Sequence, residues 1–302
     1  MINDEKVLVV IVTYNAMNWA DRCFSSLTSS SVNLDIYVVD NGSKDGTQDY
    51  LLTHFPGIIF IQNEYNLGFG KANNMGLQYA IDYGYDFVYL LNQDAWIFPD
   101  TIEKLISISY AHPNYGILSP FQMNANKCID LNFFKRVLQD GNNGLLINDL
   151  YFGNDNLVEV TGIMAAHWFM PISTVLTVGG FSPSFPHYGE DDNYAQRVNY
   201  FGLKIGVMPH LEVIHDRGNR IDNPHKLMYL DYTSSICILS NPMIPFFKSL
   251  LIVIRKAVRN CHKFRSLKPI IYLWKLIVEL QVILKNRSIS INSRGAFLII
   301  PA

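Results

Sequence analysis

Cysteine is scarce: only four occur among 302 residues, and Cys23, Cys128, Cys237 and Cys261 form no CxxC pair. That scatter argues against a zinc or iron–sulfur site and makes a reduced, intracellular protein the expectation. No basic segment precedes the first apolar run. "MINDEKVLVVIVTYN" leads with acids, so a first strand is expected there in place of a signal peptide. No GxGxxG follows that run, which speaks against a dinucleotide-binding dehydrogenase. Internal repeats and low-complexity tracts are also missing. Acids almost vanish from the end of the chain. Residues 241–302 hold 11 Lys and Arg against the single acid Glu279, leaving 13 basic and 25 acidic residues before them. An acidic body with such a basic tail implies two differently purposed regions, expected at 1–240 and 241–302, and argues against nucleic acid as a partner.

What is present is apolar and regular. Nearly half the residues are hydrophobic, at 49%, enough for a sizeable core in one large α/β domain or two smaller ones. "KVLVVIVTY" (6–14), "LDIYVVD" (34–40), "GIIFIQN" (57–63) and "FVYLLN" (87–92) read as strands buried on both faces. Between them, "NWADRCFSSLTSS", "KDGTQDYLLTHF" and "KANNMGLQYAIDYG" have helical spacing. The alternation predicts a central, mainly parallel sheet with helices on both faces. From 111 to 160 the pattern is irregular, with a turn expected at Gly141-Asn142-Asn143-Gly144. "GEDDNYAQRVNYFGLKIGVMP" (189–209) then predicts a helix opened by acids, a stop at Gly202 and another strand.

The chemistry-bearing residues sit where the strands end. Thr13-Tyr14-Asn15, Asp40, the segment "NEYNLGFGKANN" and Asn92-Gln93-Asp94 each follow a buried run. If the strands are parallel, all four clusters open on one edge, where α/β sheets bind ligands. Asp40 suits a base or ribose hydroxyl, or else caps the turn "DNGS". Asp94 suits a hard divalent cation, or else caps a helix starting near Pro99. Three adjacent acids, Glu190, Asp191 and Asp192, supply a general base or an N-terminal cap. His215, Arg217 and Arg220 follow a later strand, as structural groups or as contacts to a metal and phosphate. His167, Trp168 and Phe181 shape an acceptor pocket or pack the core.

"VVIVTYN", "VVDNGSKDGT", "NLGFGKANNMG", "LLNQDA" and "GGF…YGED", in this order and spacing, resemble family 2 glycosyltransferases of the GT-A fold, and within them the rhamnosyltransferase-like members. The resemblance implies a nucleotide-sugar donor (dTDP-rhamnose or a UDP-hexose), Mg2+ or Mn2+, and inversion at the anomeric carbon. It implies that Thr13, Tyr14, Asn15 and Asp40 hold the nucleoside, and that Gly68, Lys71 and Gln93 line the donor pocket. It sets Asn92 and Asp94 at the DxD metal motif, with His215 as a further metal contact. Glu190-Asp191 falls on the ED motif, making Asp191 the base. The sequence departs from the family's pattern at Asn92, where many members carry the first Asp, and at Asn193, where a further acid is common. A noncatalytic nucleotide-sugar-binding protein of the same fold is the competing expectation.

In the tail, "PFFKSLLIVIRKAVRN" and "KPIIYLWKLIVELQVILKNR" predict amphipathic basic helices. Charge interrupts the second, so neither is expected to span a bilayer. Such helices lie on an anionic membrane, pack on the body, or join two copies of the chain. The first option suits a glycan or polyisoprenyl-linked acceptor and a peripheral place at the cytoplasmic face of the cell membrane.

Overall fold

The computed structural model describes residues 5–138, 157–217 and 224–300. The turn expected at 141–144 and Arg220 lie outside them. Four strands, β1 (Val7–Thr13), β2 (Leu34–Asp40), β3 (Ile59–Gln62) and β4 (Phe87–Asn92), form a parallel half-sheet in the order β3-β2-β1-β4. Helices α1 (Ala20–Thr28), α2 (Thr47–His54) and α3 (Phe69–Asp82) make the crossovers. The residues of β1 divide strictly between two cores. Leu8 and Val10 join one with Val88 and Leu90; Val7, Val9 and Ile11 join the other with Phe87, Tyr89 and Leu91. This explains why the strands read as unbroken apolar runs.

The sheet continues as a mixed half. β8 (His167–Pro171) pairs antiparallel to β4 and to β6 (Tyr115–Met123). β6 in turn runs parallel to β9 (Lys204–His215). Two short strands, β5 (Ala95–Trp96) and β7 (Val158–Val160), pair antiparallel to β9. Helices α3, α6 (Ile172–Val178) and α7 (Glu190–Tyr200) cover the first core; α1 and α4 (Thr101–Ala111) cover the second. α5 (Leu131–Leu138) adds Phe133 and Val137 to the first core. Close approach of α3 to β1 requires Gly76, because a Cβ there would lie 2.4 Å from Val10 Cγ1.

Three further helices, α8 (Pro224–Ser240), α9 (Phe246–Phe264) and α10 (Lys268–Asn292), share a third core that includes Phe185 of the body. The end of the chain then returns to the sheet domain. Gly180 N–H donates to Ala296 O at 2.8 Å, and Gln78 exchanges two hydrogen bonds with the Ile299 backbone at 2.7 and 2.9 Å.

Candidate active site

The parallel register aligns the polar strand ends. Thr13 pairs with Asp40, Asp40 with Gln62, and Val12 with Asn92. The loops leaving these strands meet the segments at 164–166, 187–191 and 215–217 around a cavity of about 440 Å³. Tyr14, Gly68, Asn92, Gln93, Asp94, Glu190, Asp191 and His215 line it, as does Arg217. Thr13, Asn15, Asp40 and Lys71 do not.

Of those four, Thr13 and Asp40 are buried, whereas Asn15 and Lys71 are exposed. Asp40 is fully buried, and its carboxylate accepts from Thr13 Oγ1, the Gly42 and Ser43 N–H groups, Ser43 Oγ and Gln62 Nε2, at 2.5–3.2 Å. It therefore organises the turn after β2 and does not project into the cavity. Asn15, left-handed at φ 53°, accepts the Lys44 N–H at 2.9 Å and donates its own to Ser43 Oγ at 2.8 Å. Lys71 is exposed on α3. Gln93 clamps the loop after β1, accepting the Tyr14 N–H at 2.7 Å and donating to Tyr14 O at 3.2 Å. At Gly68, φ 82°, a Cβ would come within 2.5 Å of Pro186 O, so only glycine lets the two loops close on each other here.

Asp94 and His215 meet at the cavity because β5 pairs with β9 at Ala95 and His215. Asp94 Oδ1 lies 3.6 Å from His215 Nε2, and both side chains are almost wholly buried. Asp94 caps no helix; α4 begins later, after Asp100. Behind His215, Nδ1 lies 3.1 Å from Gln122 Oε1 and 3.8 Å from Asp130 Oδ2. Gln122 is a fully buried amide on β6, and Asp130 caps α5 through the Asn132 and Phe133 N–H groups at 2.8 and 3.2 Å. An acceptor and a carboxylate behind Nδ1 favour the tautomer with its proton there, which leaves the Nε2 lone pair facing Asp94.

This donor set fits a divalent cation that takes most of its ligands from elsewhere. Among the described residues no group of three or more His, Cys, Asp or Glu could hold a metal. A carboxylate and an imidazole 3.6 Å apart would leave the other positions of a divalent cation to phosphate oxygens and water, the sparse protein coordination common at phosphate sites.

Tyr188 at φ 68° and Gly189 at φ 91° turn the chain into α7, whose first residues also line the cavity. Glu190 is buried, and its Oε2 has no hydrogen-bond partner. Burial pushes both the Glu190 and Asp191 carboxyls above the ordinary carboxylate range, and the charges of their acidic neighbours push them further. The Asp192 N–H at 2.9 Å, Arg136 and Arg217 draw Asp191 part of the way back. Asp192 itself is ion-paired to Arg136 of α5.

His167, Trp168 and Phe181 belong to the core. Tyr89 OH donates to His167 Nδ1 at 2.6 Å, and His167 Nε2 lies 3.0 Å from Ile214 O. Burial lowers the His167 pKa to about 3, so the ring is neutral and props the strand that carries His215. Trp168 stacks on Phe181. Asn66 lay in the segment "NEYNLGFGKANN", whereas Gln122, Asp130, Asn41, Met164, His187 and Tyr188 were not singled out in the sequence. For Gln122 alone there was a signal, an amide inside the apolar run of β6.

The architecture is that of the GT-A glycosyltransferases. It is similar to the mannosyltransferase PcManGT of Pyrobaculum calidifontis, solved with GDP-Man and Mn2+ (TM-score 0.55, 15% identity, 95% of this chain and 87% of that one). It is also similar to S. aureus TarS 1-349 in complex with UDP-GlcNAc (TM-score 0.55, 15% identity, 85% and 73%). Residues 8–137, less than half of the chain, match the family model described as glycosyl transferase family 2. Among curated proteins, an N-acetylglucosaminyl-diphospho-decaprenol L-rhamnosyltransferase of Mycobacterium tuberculosis is 30% identical over 121 residues, 37% of this chain and 39% of its own length. Glycosyltransferase GlyA of Streptococcus pneumoniae is 31% identical over 110 residues, 35% of this chain and 15% of its own. The low-salt glycan biosynthesis hexosyltransferase Agl10 of Haloferax volcanii is 23% identical over 245 residues, 74% of this chain and 72% of its own.

Proposed function

We propose that the chain is an inverting glycosyltransferase, moving a sugar from a nucleoside-diphosphate donor to a hydroxyl of a glycan or polyisoprenyl-linked acceptor. One observation carries the reading: a single cavity is lined both by a carboxylate–imidazole pair, Asp94 and His215, and by the crowded carboxyl of Asp191. A sugar alkoxide leaves poorly and needs a general acid, whereas a nucleoside diphosphate does not, so one base suffices. Asp191 is that base. Its raised affinity for protons lets it take one from the acceptor hydroxyl as the bond to the anomeric carbon forms. Asp94 and His215 hold Mg2+ or Mn2+, which when bound neutralises charge on the departing diphosphate. Gln122 and Asp130 keep His215 in the metal-binding tautomer, and Arg217 steadies phosphate oxygens from the rim. Asn92 and Tyr14 face the donor, while Asp40 and Gln93 hold its loops in register.

dTDP-rhamnose and UDP-hexoses are the donors to try first, and an acceptor met at a membrane surface suits the relatives with lipid-linked names. The test is a thermal-shift screen of dTDP-, UDP- and GDP-sugars with each cation, followed by transfer assays on the sugar that stabilises most. A donor that binds Asp191→Asn as tightly as the parent chain but is turned over only by the parent bears the assignment out. Equal turnover by the variant removes Asp191 from the base role.

A further inference from the structure

Helices α9 and α10 each have two apolar sides. The inner side of α9 buries Val253 and Ala257, and that of α10 buries Leu276 and Ile283. On the far side of α9, Phe247, Leu251, Ile254 and Val258 recur at helical spacing, each exposed, with Phe247 at 82%. On α10, Ile271, Trp274, Val278 and Val282 do the same, with Trp274 at 67%. A three-residue link, 265–267, joins the helices into a hairpin, and the two pack side by side. Apolar surface left outward on this scale marks a docking site.

Charge identifies what docks. Exposed Arg255 and Arg259 run beside the α9 stripe and exposed Lys285 beside that of α10, while Glu279, the lone acid of the tail, is bound to Tyr232 OH and Lys275. A second copy set face to face would bring two such basic surfaces together. No helix of the described residues is long and apolar enough to cross a membrane. Apolar stripes opposite a buried face, edged by lysine and arginine, suit the headgroup boundary of an anionic bilayer. We infer that the outward face of α9 and α10 is a monotopic membrane-docking surface, with Phe247 and Trp274 entering the acyl boundary and the flanking cations meeting anionic headgroups. This gives the acceptor's membrane setting a specific face, but it needs only a lipid surface and stands or falls apart from sugar transfer.

The docked hairpin is tied to the cavity rim. Tyr188, which lines the cavity, packs on Tyr229 at 6.5 Å between ring centres; Tyr229 packs on Tyr232 at 6.0 Å, and Tyr232 stacks on Tyr272 of α10 at 5.0 Å.

The test is flotation of the full chain with vesicles of phosphatidylcholine, with and without one-third phosphatidylglycerol. Binding is expected to the anionic vesicles only and to fall at least tenfold in 0.5 M salt. The double variant F247S/W274S is expected to lose binding at least tenfold while cation-dependent nucleotide binding in solution is unchanged. Quenching of Trp274 by lipids brominated on the acyl chain, absent from W274F, reads insertion without depending on the serine variant's folding. A parent chain that ignores both vesicle types, or that binds with Trp274 unquenched, overturns the inference. So does one that pairs into dimers through this face, or takes an acidic protein there, without binding vesicles.

Discussion

The two halves of the sheet treat their polar groups in opposite ways. At the ends of β1, β2 and β4 nearly every side chain is satisfied by another: Asp40 by five donors, Asn15 by the loop after β2, Gln93 by the Tyr14 backbone. In the mixed half, buried atoms stand without protein hydrogen-bond partners, among them Glu190 Oε2, Asp130 Oδ2 and Gln122 Nε2. The first half is a finished scaffold that shapes a pocket; the second carries desolvated groups whose reactivity comes from incomplete compensation.

Substitutions on the two sides should therefore separate cleanly. The largest effect is expected at Asp191→Asn, a loss of ~10²–10⁴-fold in kcat with the melting temperature held or raised, read by transfer assay and calorimetry. Next is Asp40→Ala, which strips the acceptor from a buried turn and should cost about 3 kcal/mol in urea unfolding. Weakened donor binding at unchanged stability would break the division between the halves. Gln122→Met should lower Mn2+ affinity by ~10–100-fold, read by the EPR signal of free Mn2+, with little change in stability, since it acts through His215. pH sharpens the comparison. Burial raises Glu190 above its unfolded value, so the stability this group contributes is complete at acid pH and is lost as pH climbs through the raised value. Glu190→Gln should remove that decline, and melting curves across pH 4–9 measure it. The smallest effect is expected at the exposed pair Lys204–Glu159, where Lys204→Ala should change stability by less than about 1 kcal/mol.

The parallel half was legible because its information is local. A buried run, a polar end, and a glycine or asparagine where the backbone turns all lie within a dozen residues. Asp40 shows the limit of such reading: position at a strand end was apparent, but five converging donors come from three segments and make it a structural anchor. Asp130 was invisible and Gln122 showed only as an amide in an apolar run, because their meaning depends on β6 pairing with β9 across some ninety residues, through a register shift after Pro120. Composition located the basic tail at 241. Packing groups α8 with the two helices after it, because a shared core forms irrespective of the surface charge it carries.

Helix α5 touches both chemistries of the cavity. Asp130 at its start stands behind His215, and Arg136, about 9 Å further along the axis, pairs with Asp192 beside the base. A substitution at Asp130 that tilts this eight-residue helix carries Arg136 with it, so redesign of the cation preference through Asp130 has to be checked against the proton acceptor beside Asp192.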